Sequence, residues 1–504
     1  MPAVTKSIIE NALKGSVVDV ECHISNGLPN MIIVGFASKA VGEAKERIRG
    51  AFSNSGVQLP RKRITINLAP ADIPKEGTVF DLPIAASILL ASHQHQSGKL
   101  DLSGFMFGEL SLDGSLRPVR GIIGKIIVSK RLGVNRFWIP SKNLPQAHMI
   151  PGIELIPLDN LKELHSYLNG LIEIKSIDTG KGKLPSTSTK RLVTDFRHIS
   201  GQARAKRAME IAAAGHHNIL LNGPPGVGKS MLAKALPSIL PPLKHEEVLE
   251  ITQLHSLANR DYDKIILDRP FRTPHHSSSD ISIIGGGQNP RPGEISLSHN
   301  GVLLFDEFPE FKRTAIDALR QPLEDKEITI ARAKDTLNFP ANFLLVGTAN
   351  PCPCGFYGTS KPCTCLPLQI IKYQKKLSGP VLDRIDLYID VDEIKHDKIL
   401  HASAQEEPSS KIVDRVAKAR KAQLQRSSKL NSQLNNQDIK KLSNLEDSSE
   451  ALLNQASAKL GLSARGYIRA IRVARTIADL EASISIKPEH VSEALQYRRT
   501  VEVL

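Results

Sequence analysis

Two periodicities alternate along the first four-fifths of this chain, and then one of them takes over. Short apolar runs bounded by turn formers, "NMIIVGF", "KRITINLA" and "RFWIPS", read as strands, with a helix-period pattern in "AVGEAKERIRGAFSNSG". A second such stretch holds the strands "HNILLNG", "GVLLFDE" and "NFLLVGTAN". Beyond about residue 396 strand signals stop. Helical spacing then predicts helices in "KIVDRVAKARKAQLQ", "EALLNQASAKLGL", "ARGYIRAIRVARTIADL" and "PEHVSEALQYR". Between the two mixed stretches, "KSIDTGKGKLPSTSTKR" (175–191) has almost no large apolar side chain and reads as a solvated linker. The pattern therefore predicts an α/β domain at 1–172, a linker at 173–192, a second α/β domain at 193–395 and a helical domain at 396–504. No internal repeat is present.

A chain of 504 residues has room for two or three separate cores. Its formal net charge of +14 favours a polyanionic partner, nucleic acid or an anionic surface, although many cytoplasmic proteins are basic. No apolar run approaches membrane-spanning length, and the N-terminus lacks the apolar block of a signal peptide. A cytoplasmic protein without a membrane partner is expected. Aromatic residues make up only 4% of the chain, which argues against a base-stacking platform for single strands.

The first candidate chemistry lies in "HNILLNGPPGVGKSMLAKAL", which runs from a buried strand through a loop of the form G-x-x-x-x-G-K-S into a helix. Gly223, Gly226 and Gly228 let the backbone turn its N–H groups toward phosphate oxygens, with Pro224, Pro225, Val227 and Met231 completing the cradle. Lys229 is suited to neutralising terminal phosphates and Ser230 to ligating Mg²⁺. About seventy-five residues on, "GVLLFDE" ends a second strand in an acidic pair. Asp306 is expected to hold Mg²⁺ through water, and Glu307 to orient and deprotonate the attacking water. Asn350, at the end of the next strand, is placed to sense the γ-phosphate of ATP; an Asn before Pro351 is also an ordinary turn.

Taken together, these segments and "LAPADIPKEGTVFDLPIA", "FRTPHHSSS", "PRPGEISLSHNGVLLFDE", "GTANPCPCG" and "LSGPVLDRIDL" resemble the ComM/YifB family of magnesium-chelatase-like AAA+ ATPases. The likeness runs over nearly the whole chain. It implies a P-loop AAA+ domain with a parallel sheet and a helical lid, assembled as a homo-hexamer. Arg384 matches the arginine finger supplied to a neighbour's site, where it would stabilise charge on the transferring phosphoryl group. Without the family, an Arg between Asp383 and Asp386 reads as a salt bridge. Arg465 matches the lid's sensor arginine, with Arg469 and Arg472 nearby, and Arg320 is a further candidate for a contact in trans. The implied activity is ATP-driven DNA translocation and helicase work on branched single- and double-stranded intermediates, serving integration of foreign DNA during natural transformation. A chelatase-type motor that remodels a protein partner for metal insertion is the alternative.

"EDKEITIARAKDTLNFPANF" alternates on both sides of "ARAKD" and predicts a hairpin. Arg332 and Lys334 at its tip fit an exposed turn, and by resemblance they fit a pore contact with a DNA backbone. The Gly-, Pro- and Ser-rich segment 270–297 reads as a flexible loop in which Arg272, His275, His276 and Arg291 are candidate nucleic-acid contacts; packing is favoured over metal binding for the two histidines. Cys352, Cys354, Cys363 and Cys365 are four of five cysteines in the chain. Their spacing predicts a closed structural Zn²⁺ site that staples a loop with no core, four reduced thiols being the alternative. Lone Cys22 reads as a small buried hydrophobe.

The first domain resembles Lon-type proteases. Where they read "PKDGPSAG", this chain has "PKEGTVFD", so Val79 stands in place of the nucleophilic Ser and Lys125 matches the partner Lys. An inactive domain kept for subunit packing or DNA handling is expected, with Arg61, Lys62 and Arg63 fitting DNA contact or plain surface.

Overall fold

Alternation builds the first sheet. Val18, Val20 and Cys22 of the strand Lys14–Ser25, and Ile64, Ile66 and Leu68 of the adjacent strand Arg63–Ala69, all turn to one buried face. Burial pushes the Cys22 thiol up to about 12, so it serves as a small apolar group, as expected. In the computed structural model, residues 3–11, 14–35, 39–75, 77–92, 102–180, 194–258, 265–287, 290–331, 336–377, 379–393 and 406–498 are described. They form two units: Met1–Ser188 with Val248–Ile265, and Thr189–Glu247 with Ile266–Leu504.

The first unit is a mixed eight-stranded sheet in the order Ile177–Asp178, Glu154–Leu158, Arg136–Pro140, Phe105–Met106, Ala3–Asn11, Lys14–Ser25, Arg63–Ala69, Asn30–Val34. The first of these corrects the linker boundary. Ile177–Asp178 pairs antiparallel with Glu154–Leu158, and Thr179 is buried with its hydroxyl accepting from the Ile153 N–H, so sheet structure runs into the polar stretch. A two-residue strand with a single apolar side chain, Ile177, is too short to register by pattern. The helix Asp81–Ala91 is buried nearly all round, and its first residue is a buried carboxylate. Arg47 grips Asp81 with Nε and Nη2 at 2.8 and 2.9 Å, and the Leu110 N–H adds a third donor.

Val79 is buried and its carbonyl accepts from Gly108. Lys125 points elsewhere: its Nζ lies 3.7 Å from the carboxylate of Glu10, which is itself buried and bonded by Gln253. A Cβ on Gly124 would stand 2.1 Å from that carboxylate, so any side chain here would have to push the Glu10 carboxylate aside. The lysine of the protease-like motif thus balances a buried charge.

The second unit is built on a five-stranded sheet in which every pairing is parallel, in the order Phe271–Arg272, Val302–Phe305, Leu344–Ala349, Ile219–Asn222, Leu387–Asp390. Numbered by chain position the order reads 2-3-4-1-5, so the first strand lies where the winding reverses, the place where such sheets bind ligands. Segment 270–297, read as a flexible loop, instead carries the helices Asp280–Ile284 and Glu294–Leu297 and a two-residue ladder between them. Ser279 caps the first of these by accepting from the Ser282 N–H. His275 and His276 stack at 4.2 Å, and His276 abuts Phe311, a packing role as expected.

The C-terminal helices Ser409–Ser427, Asp447–Leu460, Ala464–Leu480 and Pro488–Gln496 share one apolar core with the sheet and the helix Ala203–Gly215. Buried polar contacts pin them. Asp479 accepts from both terminal nitrogens of Arg426 at 2.8 Å, from Asn431 at 2.8 Å and from Arg475 Nε at 3.1 Å. Asp479→Ala removes the carboxylate partner of the buried Arg475 and the half-buried Arg426 and should cost about 3–5 kcal/mol. Urea unfolding followed by circular dichroism reads this, and a loss below about 1 kcal/mol would show that the network is not needed.

Candidate functional site

The phosphate loop follows the carboxyl end of Ile219–Asn222, where Gly223, Gly226 and Gly228 have φ of 154°, 83° and 91°. Gly223 also passes so close to the next strand that a Cβ would meet the Val391 carbonyl oxygen at 2.5 Å. Lys229 begins the following helix and is buried. Its Nζ donates to the carbonyls of Gly223 and Pro224 at 2.6 and 2.7 Å and to Oδ1 of Asn350 at 3.0 Å. Burial lowers its pKa to about 8, against the opposing pull of Asp306 and Glu307. Ser230 Oγ donates to both carboxylate oxygens of Asp306 at 2.9 and 3.0 Å. Hydroxyl and carboxylate oxygens thus face one another as the hard donor set that Mg²⁺ prefers. Lys229, Ser230, Asp306 and Asn350 are brought together, and Glu307 stands exposed beside them.

Thr348 was not singled out by sequence. It is buried in the strand between the acidic pair and the phosphate loop, its hydroxyl donating to Asp306 Oδ1 at 2.6 Å and accepting the Glu307 N–H at 2.9 Å. One side chain therefore aims both acids. It also holds Glu307 in a left-handed conformation, φ 54°, that a non-glycine residue adopts only under constraint. The available signal was a lone Thr in the apolar strand "LLVGTA".

The arginines gather at the other end of the sheet. Arg384 lies three residues before Leu387, which pairs in parallel with Ile219, and Asn218 Nδ2 donates to the Arg384 carbonyl at 3.0 Å. The phosphate loop leaves after Asn222, so a four-residue strand, roughly 13 Å, separates the two. Arg384 pairs with Glu324, not with Asp383 or Asp386, and its Nε is buried without a partner. It lines a basin of about 600 Å³ together with Lys326, Arg465, Arg469 and Arg472, and no residue of 223–231 lines that basin. Asp386 lies beneath. Although burial opposes its charge, a hydrogen bond from His217 and the charges of Arg469 and Arg498 hold its pKa down at about 2. Glu324 and Asn218 were also missed by sequence, since an acid on a helix end and an Asn before a strand carry no pattern.

The DNA candidates fare differently. The hairpin strands Glu327–Ala331 and Thr336–Pro340 pair antiparallel as expected, while Arg332 and Lys334 lie outside the described residues. Arg272 is in the edge strand of the sheet, where Glu294 accepts from its Nε and Nη2 at 2.5 Å, so that fork is already occupied and its charge is paired. Arg320 is engaged by Asp317 at 2.7 Å.

The four cysteines converge, with every ligand sulfur within 4.8 Å of the others. Cys352, Cys354 and Cys363 have sulfur separations of 3.3, 3.5 and 3.7 Å. Those are too long for a disulfide and near the edge of about 3.8 Å that four Zn–S bonds of 2.3 Å define. Backbone N–H groups of Phe356 and Thr364 draw the Cys354 thiol down to about 5. Cys363, although the Cys365 N–H favours its thiolate, is pushed up to about 12 by burial and the neighbouring sulfurs. A divalent cation would relieve that repulsion, so the residues fit zinc.

Family models for magnesium chelatase subunit ChlI match residues 195–399, those for subunit ChlI of Mg-chelatase match 20–143, and those for its C-terminal region match 406–498. Competence protein ComM of Haemophilus influenzae is 41% identical over 504 residues, 100% of this chain and 98% of its own length. The chain belongs to the ComM/YifB family of magnesium-chelatase-like AAA+ ATPases. YifB of Escherichia coli is 41% identical over 483 residues, 95% of this chain and 94% of that protein. The N-terminal region is similar to Lon protease, that of Mycolicibacterium smegmatis being 24% identical over 166 residues, 32% of this chain and 21% of that protein. No helix among the described residues is long and apolar enough to cross a membrane.

Lys229 sets a pH dependence. A phosphate needs the charged amine, so a nucleotide-bound form keeps the proton while the free protein loses it above about 8. Nucleotide affinity should therefore be level from pH 7 to 8 and fall by up to about tenfold per pH unit above that. Calorimetric titration checks this, and a profile flat to pH 9.5 would exclude the linkage.

Proposed function

We propose that this chain is the subunit of a homo-hexameric, ATP-driven DNA translocase that promotes branch migration of recombination intermediates, as in integration of foreign DNA during natural transformation. The observation that carries the reading is the polarity of the parallel sheet. Phosphate chemistry occupies its carboxyl end, and the cationic basin with Arg384 and Arg465 occupies its amino end. A strand's length separates a subunit's own Arg384 from its own phosphate loop, which supports two copies meeting so that each completes the other's site.

In this reading the loop N–H groups and Lys229 bind the β- and γ-phosphates. Lys229 exchanges its carbonyl partners for phosphate oxygens and frees Asn350 to test for the γ-phosphate. Ser230 and Asp306 are the residues that would hold Mg²⁺, which supplies charge neutralisation between the phosphates. Glu307, aimed by Thr348, takes the proton of the attacking water. Arg384 leaves Glu324 to meet the neighbour's γ-phosphoryl group, with Arg465 beside it. Glu324 lies in the last turn of the helix Arg320–Asp325, two residues from Lys326 and three from the hairpin strand, so this exchange pulls on the foot of the hairpin. Arg332 and Lys334 are assigned the grip on the DNA backbone. DNA as the substrate is supported by the similarity to a competence protein, the net charge of +14 and the hairpin. The zinc assigned to the four thiolates is structural.

A chelatase-type motor acting on a protein partner is the second reading, favoured by the family models across all three segments. ATPase rate with and without single-stranded and three-stranded DNA separates them: stimulation supports the DNA motor, and indifference supports the chelatase-type motor. Glu307→Gln should bind ATP yet lose turnover by about 100-fold or more. Arg384→Ala subunits mixed equally with wild type should depress activity well beyond their share. Strictly proportional loss would refute a residue acting in trans.

A further inference from the structure

The segment 351–369 has almost no interior. Among its residues only Cys352 and Gly355 are buried. Gly355 is adjacent to the ligand Cys354, and its N–H donates to the Cys352 carbonyl at 3.0 Å within the chelating turn. Its left-handed φ of 87° already favours glycine, and its surroundings require it: a Cβ there would stand 2.6 Å from Cδ and 3.2 Å from Cγ of Pro225. Pro225 belongs to the phosphate loop. The glycine of the cysteine turn is thus packed directly on the loop that cradles phosphate.

A second contact meets the same loop from the other end of the turn. Asn350, two residues before Cys352, accepts from Lys229 Nζ at 3.0 Å. The turn is held behind it by the Tyr357 N–H to Cys352 Sγ at 3.3 Å, the Cys354 N–H to Cys365 Sγ at 3.4 Å, and Gln374 Nε2 to the Pro351 carbonyl at 3.2 Å. Two of these bonds end on sulfur, so their strength depends on thiolate charge, which the cation sustains. Without that cation the turn has neither an apolar core nor a reason for four sulfurs to remain together.

We propose that the Cys352–Cys354–Cys363–Cys365 centre is the rear wall of the nucleotide site, and that Zn²⁺ bound there sets nucleotide affinity by holding Gly355 against Pro225 and keeping Asn350 at the edge of the phosphate loop. This inference rests on the ATPase reading of the phosphate loop and adds a metal requirement to it. The metal does not touch the nucleotide. It fixes the position of two residues that do touch the loop, and a phosphate loop left free to move loses the arrangement of N–H donors that binding needs.

The test uses the full chain as wild type, as Cys363→Ser with Cys365→Ser, and as Gly355→Ala. Metal analysis reads zinc per chain, and a fluorescent ADP analogue is titrated into each protein. Wild type should hold one zinc. The double variant should hold none and bind the analogue about tenfold more weakly or worse, with helix content by circular dichroism unchanged. Gly355→Ala keeps all four thiols, and it should retain zinc while losing affinity by a similar factor. Wild type stripped with a chelator should weaken likewise and recover when Zn²⁺ alone is returned, an arm that needs no variant to fold. Zinc-free protein that binds the analogue as wild type does overturns the inference and leaves the ATPase reading intact. Zinc-loaded wild type that binds no nucleotide overturns the ATPase reading itself.

Discussion

The direction of one strand organises the second unit. Ile219–Asn222 pairs in parallel with both Leu344–Ala349 and Leu387–Asp390, so all three deliver their following residues to the same edge of the sheet. Phosphate loop and Asn350 therefore converge, and the Asp306–Glu307 pair arrives with them from the strand Val302–Phe305. The same parallel pairing puts what precedes each strand at the opposite edge. Arg384 lies there because it precedes Leu387, and Asn218 lies there because it precedes Ile219. Under the proposed function, each edge would supply half of a site completed by a neighbouring copy.

Charge placement follows from that division. At the carboxyl edge a buried lysine lies near two acids, with its amine satisfied by loop carbonyls and an amide. At the amino edge six cations share a basin with Glu324 and Asp386. Buried or half-buried like charges are tolerated only where a partner is at hand or an anion is to come. Asp386 is the permanent partner, held by His217 and close to Arg469. Glu324 is half exposed and so is the replaceable one. Thr348 and Asn218 tie these edges to the sheet: one aims two carboxylates, and the other joins the Arg384 carbonyl to the Leu345 N–H of the strand that ends at Asn350.

The first unit buries charge for cohesion. Val79 sits in the interior, and Lys125 lies beside the buried carboxylate of Glu10. That glutamate is bonded in turn by Gln253, which the chain contributes to this unit from within the second α/β stretch of the sequence.

Much of this was legible in one dimension because the features are local. A glycine-rich turn needs its glycines in order, an acidic pair at a strand end follows four apolar residues, and four thiols that close on one metal lie within fourteen residues. Strand and helix periodicity likewise gave the two α/β stretches and the helical end. What escaped was set by contacts across sequence distance. The strand Ile177–Asp178 exists because Glu154–Leu158 offers it an edge. Arg272 became a neutralised fork because Glu294 folds back beside it, and Arg384 took Glu324, sixty residues away, over the aspartates at its side. The sequence by itself determined which groups can bind phosphate, metal and anion, since that depends on side-chain chemistry and short-range backbone freedom. Only the tertiary structure decided which of them meet, because a parallel sheet sorts residues by whether they precede or follow a strand, and no composition or spacing records that.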